Sequence, residues 1–154
     1  MHRIVKQIRD IELIEKELTA NPAGVLALSI DSEKFTQVAT TFLYQDKNIY
    51  IFFGADDELY ESIHFDARAT FTAIKYGKAK KTRQMNFEPL YNLFSISVKG
   101  IIKKVEEPKI IEDLKQAYFS KYKKSYDENS YKVLSRNVVL IDSEEIQALE
   151  EIGG

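Results

Sequence analysis

The sequence predicts a mainly β fold with flanking helices: six short antiparallel strands that close most economically as a small barrel. Three observations predict it. Segments rich in β-branched and aromatic residues recur along the chain, and most are joined by tight polar turns. One helical segment falls between the third and fourth strands and another before the last, an order that favours an antiparallel over a parallel sheet. The length of 154 residues suits one domain, 1–154, large enough to bury a core without staples.

Ile4, Ile8, Ile11, Ile14 and Leu18 recur at steps of three and four, which places them on one stripe of an N-terminal helix over residues 1–20. Asn21-Pro22 ends it, because a residue before proline is pushed out of the α region. Gly24 to Ile30 and Phe35 to Tyr44, with the polar Asp31 to Lys34 between them, read as a hairpin. A polar turn at Gln45 to Asn48 leads to a third strand, Ile49 to Phe53, completing a meander. Asp56 and Asp57 suit the start of a short helix reaching about Phe65, since carboxylates cap free amides there. Ala69 to Tyr76 and Leu93 to Val105 alternate as strands four and five, separated by a polar, basic stretch from Gly77 to Pro89. Pro108 opens a helix whose face runs through Ile110, Ile111, Leu114, Ala117, Tyr118 and Tyr122 to about Tyr126. Asp127 to Asn137 reads as loop and Val138 to Ile141 as the sixth strand. Asp142 to Glu145 has capping-box spacing and predicts a short helix in the tail, 143–154.

Composition removes several function classes. With no cysteine, neither a disulfide framework nor a thiolate nucleophile or thiolate metal site can be built. The first ten residues interrupt their apolar positions with charges, unlike a signal peptide, and no segment approaches the about 18 apolar residues of a membrane span. A cytoplasmic protein without a membrane partner is expected. The net charge of −2 would repel polyanions, so nucleic acid is not an expected partner. There is no glycine-rich nucleotide fingerprint and no Gly-x-Ser-x-Gly, and with only two histidines a triad or multi-histidine metal site has too few parts. No metal ligands or catalytic side chains can be named.

What remains points to a binding site. Lys75 to Arg83 concentrates five positive charges between two strands. Such a run reads as a solvated loop or as an anion clamp, with Arg83 suited to a phosphate or carboxylate by its planar fork. Phe53-Gly54 at a strand end can bring backbone close to a flat ring, because glycine presents no side chain. His64, on the short helix, reads as a surface or half-buried packing residue, or else as an axial ligand or an acid.

The order of elements, together with Asn21 to Leu28, Val38 to Tyr44, Asn48 to Gly54, the helix to Asp66-Ala67 and Val98 to Ile101, resembles the pyridoxamine 5'-phosphate oxidase-like, FMN-binding split-barrel family over roughly Asn21 to Asp142. The resemblance implies a six-stranded antiparallel split β-barrel and a homodimer holding FMN in a groove at the subunit interface. Carried over, Val38, Ala39, Thr40, Thr41, Phe53, Gly54 and Leu59 would line the flavin, Thr40 and Thr41 as hydroxyl donors and Phe53 with Gly54 through their amides. Where such proteins place Ser, Arg or Lys for the phosphate, this chain has Asp56, Asp57 and Glu58. At an effective dielectric of about 20, a like charge at about 4 Å costs on the order of 4 kcal/mol before screening. Either the basic loop Lys78 to Arg83, with Lys81 and Arg83, offsets it from the same or the partner subunit, or FMN is not the ligand. The implied function is a flavin-dependent oxidoreductase of unknown small-molecule substrate. The alternatives are a haem-binding or haem-degrading barrel with His64 as axial ligand, and a cofactor-free barrel for protein association.

Overall fold

The computed structural model describes residues 2–30, 34–123 and 137–154. Its strands are β1 (Arg3–Ile8), β2 (Gly24–Ser29), β3 (Phe35–Thr40), β4 (Leu43–Gln45), β5 (Asn48–Phe53), β6 (Arg68–Gly77), β7 (Tyr91–Val105) and β8 (Asn137–Gly153). Its helices are α1 (Ile11–Ala20), α2 (Glu58–Ser62) and α3 (Pro108–Tyr122). All strand pairs are antiparallel, in the order β3-β2-β6-β7-β8-β5-β4, with β1 added to β8. The strands at the two ends of this order, β3 and β4, are consecutive in the chain and joined only by Thr41-Phe42. Two residues cannot span an open sheet, so the sheet curls until its edges meet and forms a split barrel.

The barrel interior follows from strand alternation. Leu26 and Leu28 face inward beside Phe71 and Ala69, and Ile96, Val98, Ile102, Val139 and Ile141 continue the same layer around the sheet. Phe42 enters this core with no exposed surface, its ring 4.5 Å from Phe71. β5 is apolar at every position after Asn48 because both its faces are covered. Ile49, Ile51 and Phe53 face the barrel core, whereas Tyr50 and Phe52 pack against a second cluster in which Ile111, Leu114, Tyr118 and Tyr122 of α3 cover the outside. Around β2, β3 and β6 the outer face is less protected: Phe35, Ile74 and Tyr76 point away from the core and are 83%, 51% and 72% exposed.

At Gly100 the β7–β8 register slips, with Lys99 opposite Glu145 but Gly100 opposite Ser143. A Cβ there would lie 2.0 Å from the Asp142 carbonyl oxygen, so this bulge admits only glycine.

Four expectations are corrected. The N-terminal helix of residues 1–20 is β1 followed by α1, with Asp10 between them capping α1 through the Leu13 amide at 3.3 Å. A step of four puts Ile4 and Ile8 on one face of a strand as well as of a helix, so their spacing does not separate the two. The tail helix of 143–154 is instead the second half of β8, which gains ladders from β7 on one side and β1 on the other. The Phe35–Tyr44 strand is two strands broken at Thr41-Phe42, so the expected meander runs as two hairpins, β2–β3 and β4–β5, with β5 also pairing β8. Eight strands rather than six are therefore present among the described residues. The loop expected from Asp127 lies, up to residue 136, outside the described residues.

Candidate functional site

The seam where β3 passes into β4 is fastened by α3. Tyr122 lends its hydroxyl to the Phe42 amide at 3.2 Å and can donate to the Phe42 carbonyl at 2.9 Å or the Pro22 carbonyl at 2.7 Å. Lys121 Nζ donates to the Phe42 carbonyl at 2.9 Å and lies 3.8 Å above the Phe42 ring. Burial lowers the Lys121 ammonium from 10.5 to about 8, since the charged form loses water it does not fully replace. The Thr41 hydroxyl bonds the Tyr118 hydroxyl, and the Thr40 hydroxyl donates to the Thr41 carbonyl at 3.1 Å. Of the four residues the sequence nominated on this strand, Val38 turns inward against the barrel core and Ala39 is exposed on the outer face. Thr40 and Thr41 spend their hydroxyls on local structure.

The end of β5 is more open. Phe53 is buried with its ring 5.7 Å from Tyr60, which in turn meets Phe65 edge-on at 6.1 Å. Beside this aromatic layer Gly54 is exposed, and a Cβ added to it would meet nothing within 4 Å. Its carbonyl accepts from Asn137 Nδ2 at 3.1 Å, which ties the strand end to the first residue of β8. Leu59 packs against the barrel core from α2. Next to these residues a cleft of about 300 Å³ is lined by Tyr60, Lys104, Ile111, Glu112 and Asn137, among others. Lys104 Nζ stands 5.9 Å from the Tyr60 ring centre. His64 lies just beyond α2 and is exposed.

The acidic run at this entrance is partly explained by the helix it opens. Asp57 is the N-cap of α2 and accepts from the Leu59 amide at 2.9 Å, so the amide end of this five-residue helix already holds a carboxylate. Asp56 and Glu58 are exposed beside it.

Lys81 and Arg83 lie elsewhere. Both are exposed on the 78–90 connection, where Lys81 pairs with Glu88. That connection is anchored at the C-terminal end of β8 by Met85 and Phe87 against Ile152 and by the Leu90 amide on the Gly153 carbonyl at 2.7 Å. Phe53 pairs with Asn137 at the other end of the same strand. The 17 residues of β8 at about 3.3 Å each give a contour of roughly 50 Å. Within one chain the basic loop and the Gly54 entrance therefore sit at opposite ends of the barrel.

A flavin makes two demands, and the residues meet them unequally. The open backbone at Gly54 beside Phe53 and Tyr60 suits a flat ring. A phosphate dianion does not fit the α2 end of the same entrance, where Asp56, Asp57 and Glu58 stand and where Lys104 shares the neighbouring cleft with two carboxylates, Glu106 and Glu112. Sequence reasoning missed Tyr60, Lys104, Asn137 and the α3 pair Tyr118 and Tyr122. Tyr118 and Tyr122, four apart on an apolar helical face, carried a visible signal, because hydroxyls on such a face need partners where they are buried.

No family model matches the sequence, and no curated protein is similar to it. Solved structures are. An FAD-binding protein from Mesorhizobium loti aligns over 96% of this chain and 98% of its own, with 18% identity and a TM-score of 0.68. An FAD- and haem-binding protein from Mycobacterium smegmatis aligns over 97% of this chain and 74% of its own, with 13% identity and a TM-score of 0.68. A candidate pyridoxamine 5'-phosphate oxidase from Corynebacterium glutamicum aligns over 96% and 98%, with 18% identity and a TM-score of 0.61. At such identities the likeness is one of architecture, and it agrees with the strand order and the β3–β4 seam: this chain has the split β-barrel fold that these solved structures share.

Proposed function

We propose that the chain is a flavin-binding split barrel that works as a homodimer, holding FMN with its ring system against the Gly54 backbone. The observation that carries this reading is the open space at Gly54, flanked by the Phe53–Tyr60 aromatic layer, at a strand end. Two further facts support it. Solved structures with this fold include proteins named for binding FAD, and one for binding FAD and haem. The exposed Phe35, Ile74 and Tyr76 give the outer face of the sheet an apolar surface that a second copy would cover.

The bound flavin would supply electron or hydride transfer, and the protein's part is position and electrostatics. Its phosphate needs cations that the Gly54 entrance lacks; Arg83 and its neighbours in the basic loop of a second copy are the proposed source. The test is a titration with FMN and with FAD followed by flavin fluorescence, repeated on Gly54→Val. The reading expects saturable binding that the valine weakens about ten-fold or more, the effect of one misplaced aromatic contact and its ring. Equal affinity of the valine variant would remove Gly54 from the site. The acidic Asp56 to Glu58 entrance favours a second reading, a barrel that binds no flavin and serves protein association; it expects no uptake of either cofactor.

A further inference from the structure

Where α1, the end of β1 and the β4–β5 turn meet, the structure leaves a cavity of about 340 Å³ that shares no residue with the flavin groove. Its body is apolar. Ile14 belongs to the barrel core, Ile8, Ile146 and the Tyr44 ring pack against that core, and Ile11 is left 67% exposed at the mouth. A single exposed isoleucine is ordinary, but one that completes the wall of an apolar cavity has the character of a ligand site.

The mouth carries two cations, Arg9 and Lys47, against one carboxylate, Glu15. Arg9 meets only the Gln7 side chain, at 3.3 Å, and neither cation takes part in an ion pair among the described residues. Asp10, next to Arg9, is committed to capping α1. The net charge of the lining groups is thus one positive. Tyr44 adds a hydroxyl donor, whose pKa burial and then the Glu15 carboxylate raise above the ordinary value.

Lys47 holds its place against local preference. β4 and β5 are joined by Asp46 and Lys47 alone, with Gln45 opposite Asn48. Both turn residues have positive φ, 52° and 67°. Two-residue turns of this hand are the province of Asn, Asp and Gly, and Asp46 obeys that rule whereas Lys47 does not. A side chain kept in a conformation that glycine adopts more cheaply invites a functional reason, and here it sets an ammonium at the mouth of the cavity.

We propose that this cavity binds a small amphipathic monoanion, its hydrocarbon body on the isoleucines and its carboxylate between Arg9 and Lys47. The single net positive charge matches one carboxylate, whereas a phosphate dianion would leave one negative charge unbalanced. The site stands independently of the flavin reading.

The probe is octanoate, with octan-1-ol as its neutral counterpart, titrated into the full chain while backbone amide resonances are followed. Octanoate should move the resonances of Ile8, Ile14, Tyr44 and Ile146, and octan-1-ol should bind about ten-fold more weakly, the size of one charge-assisted contact. Lys47→Gly separates site from scaffold: it relaxes the turn, so the variant should melt at the same or a higher temperature yet bind octanoate several-fold more weakly. Equal binding of acid and alcohol, shifts confined to other parts of the barrel, or wild-type affinity in Lys47→Gly would each overturn the proposal.

Discussion

Replacing Tyr122 with phenylalanine removes a single oxygen from the corner that closes the barrel. That hydroxyl is the partner of the Phe42 amide at 3.2 Å, and Phe42 has no exposed surface from which water could substitute. The carbonyl side loses less, because the Phe42 oxygen keeps Lys121 Nζ at 2.9 Å and Pro22 is exposed to solvent. The dominant change is therefore one buried N–H left unsatisfied, worth about 1–3 kcal/mol. Against a total stability of about 5–15 kcal/mol, and at about 2–4 °C per kcal/mol for a chain of this size, the melting temperature should fall by roughly 2–12 °C. Thermal melting reads that fall, and equilibrium urea unfolding followed by circular dichroism reads the free-energy loss, with the m-value unchanged because the same surface is exposed on unfolding. A loss below about 0.5 kcal/mol, the usual range for a surface change, would show that the seam is not held by this hydroxyl and would remove the assigned role of α3.

Two further outcomes follow from groups near the same sheet. Lys121 has a folded-state value of about 8 against an ordinary 10.5, so between those limits the unfolded chain binds more protons than the folded one and stability on this account rises with pH. The stability of the native chain minus that of Lys121→Met should accordingly increase from pH 8 to 10.5 in paired urea titrations; a flat or falling difference would contradict the burial of the ammonium. Gly100→Ala places a methyl 2.0 Å from the Asp142 carbonyl oxygen, a backbone atom with no rotamer to yield. It should destabilise by about 1–3 kcal/mol, as overpacking does, and an alanine variant as stable as the native chain would show that the bulge can slip.

How much of this was legible in the sequence depends on which forces decide each element. β2, β5, β6 and β7 were readable because their alternation or their two-sided burial is written locally, as in Ile49 to Phe53. β1 was hidden because Ile4 and Ile8 satisfy both periods. The second half of β8 was hidden because Asp142, Glu144, Glu145, Glu150 and Glu151 lower its strand propensity, and only the ladders from β7 and β1 overcome that. The break at Thr41-Phe42 depends on Tyr122 and Lys121, about 80 residues away and beyond the reach of local pattern.

The candidate site divides in the same way. Gly54 and Phe53 were visible as a strand end with a missing side chain, and the structure leaves that backbone open. Thr40 and Thr41 looked like free donors because a sequence shows hydroxyls without showing who accepts from them. Lys104 could not be singled out among the cations of β7, since only the turn of α2 brings Tyr60 beneath it.

The central claim is most directly tested by the absorption spectrum of the natively purified protein, followed through additions of FMN and then of haem, with size-exclusion chromatography of the product. The account expects a resolved flavin band that saturates with added FMN and travels with a dimer. A Soret band that shifts in His64→Ala, or a colourless protein that takes up neither cofactor, would contradict it.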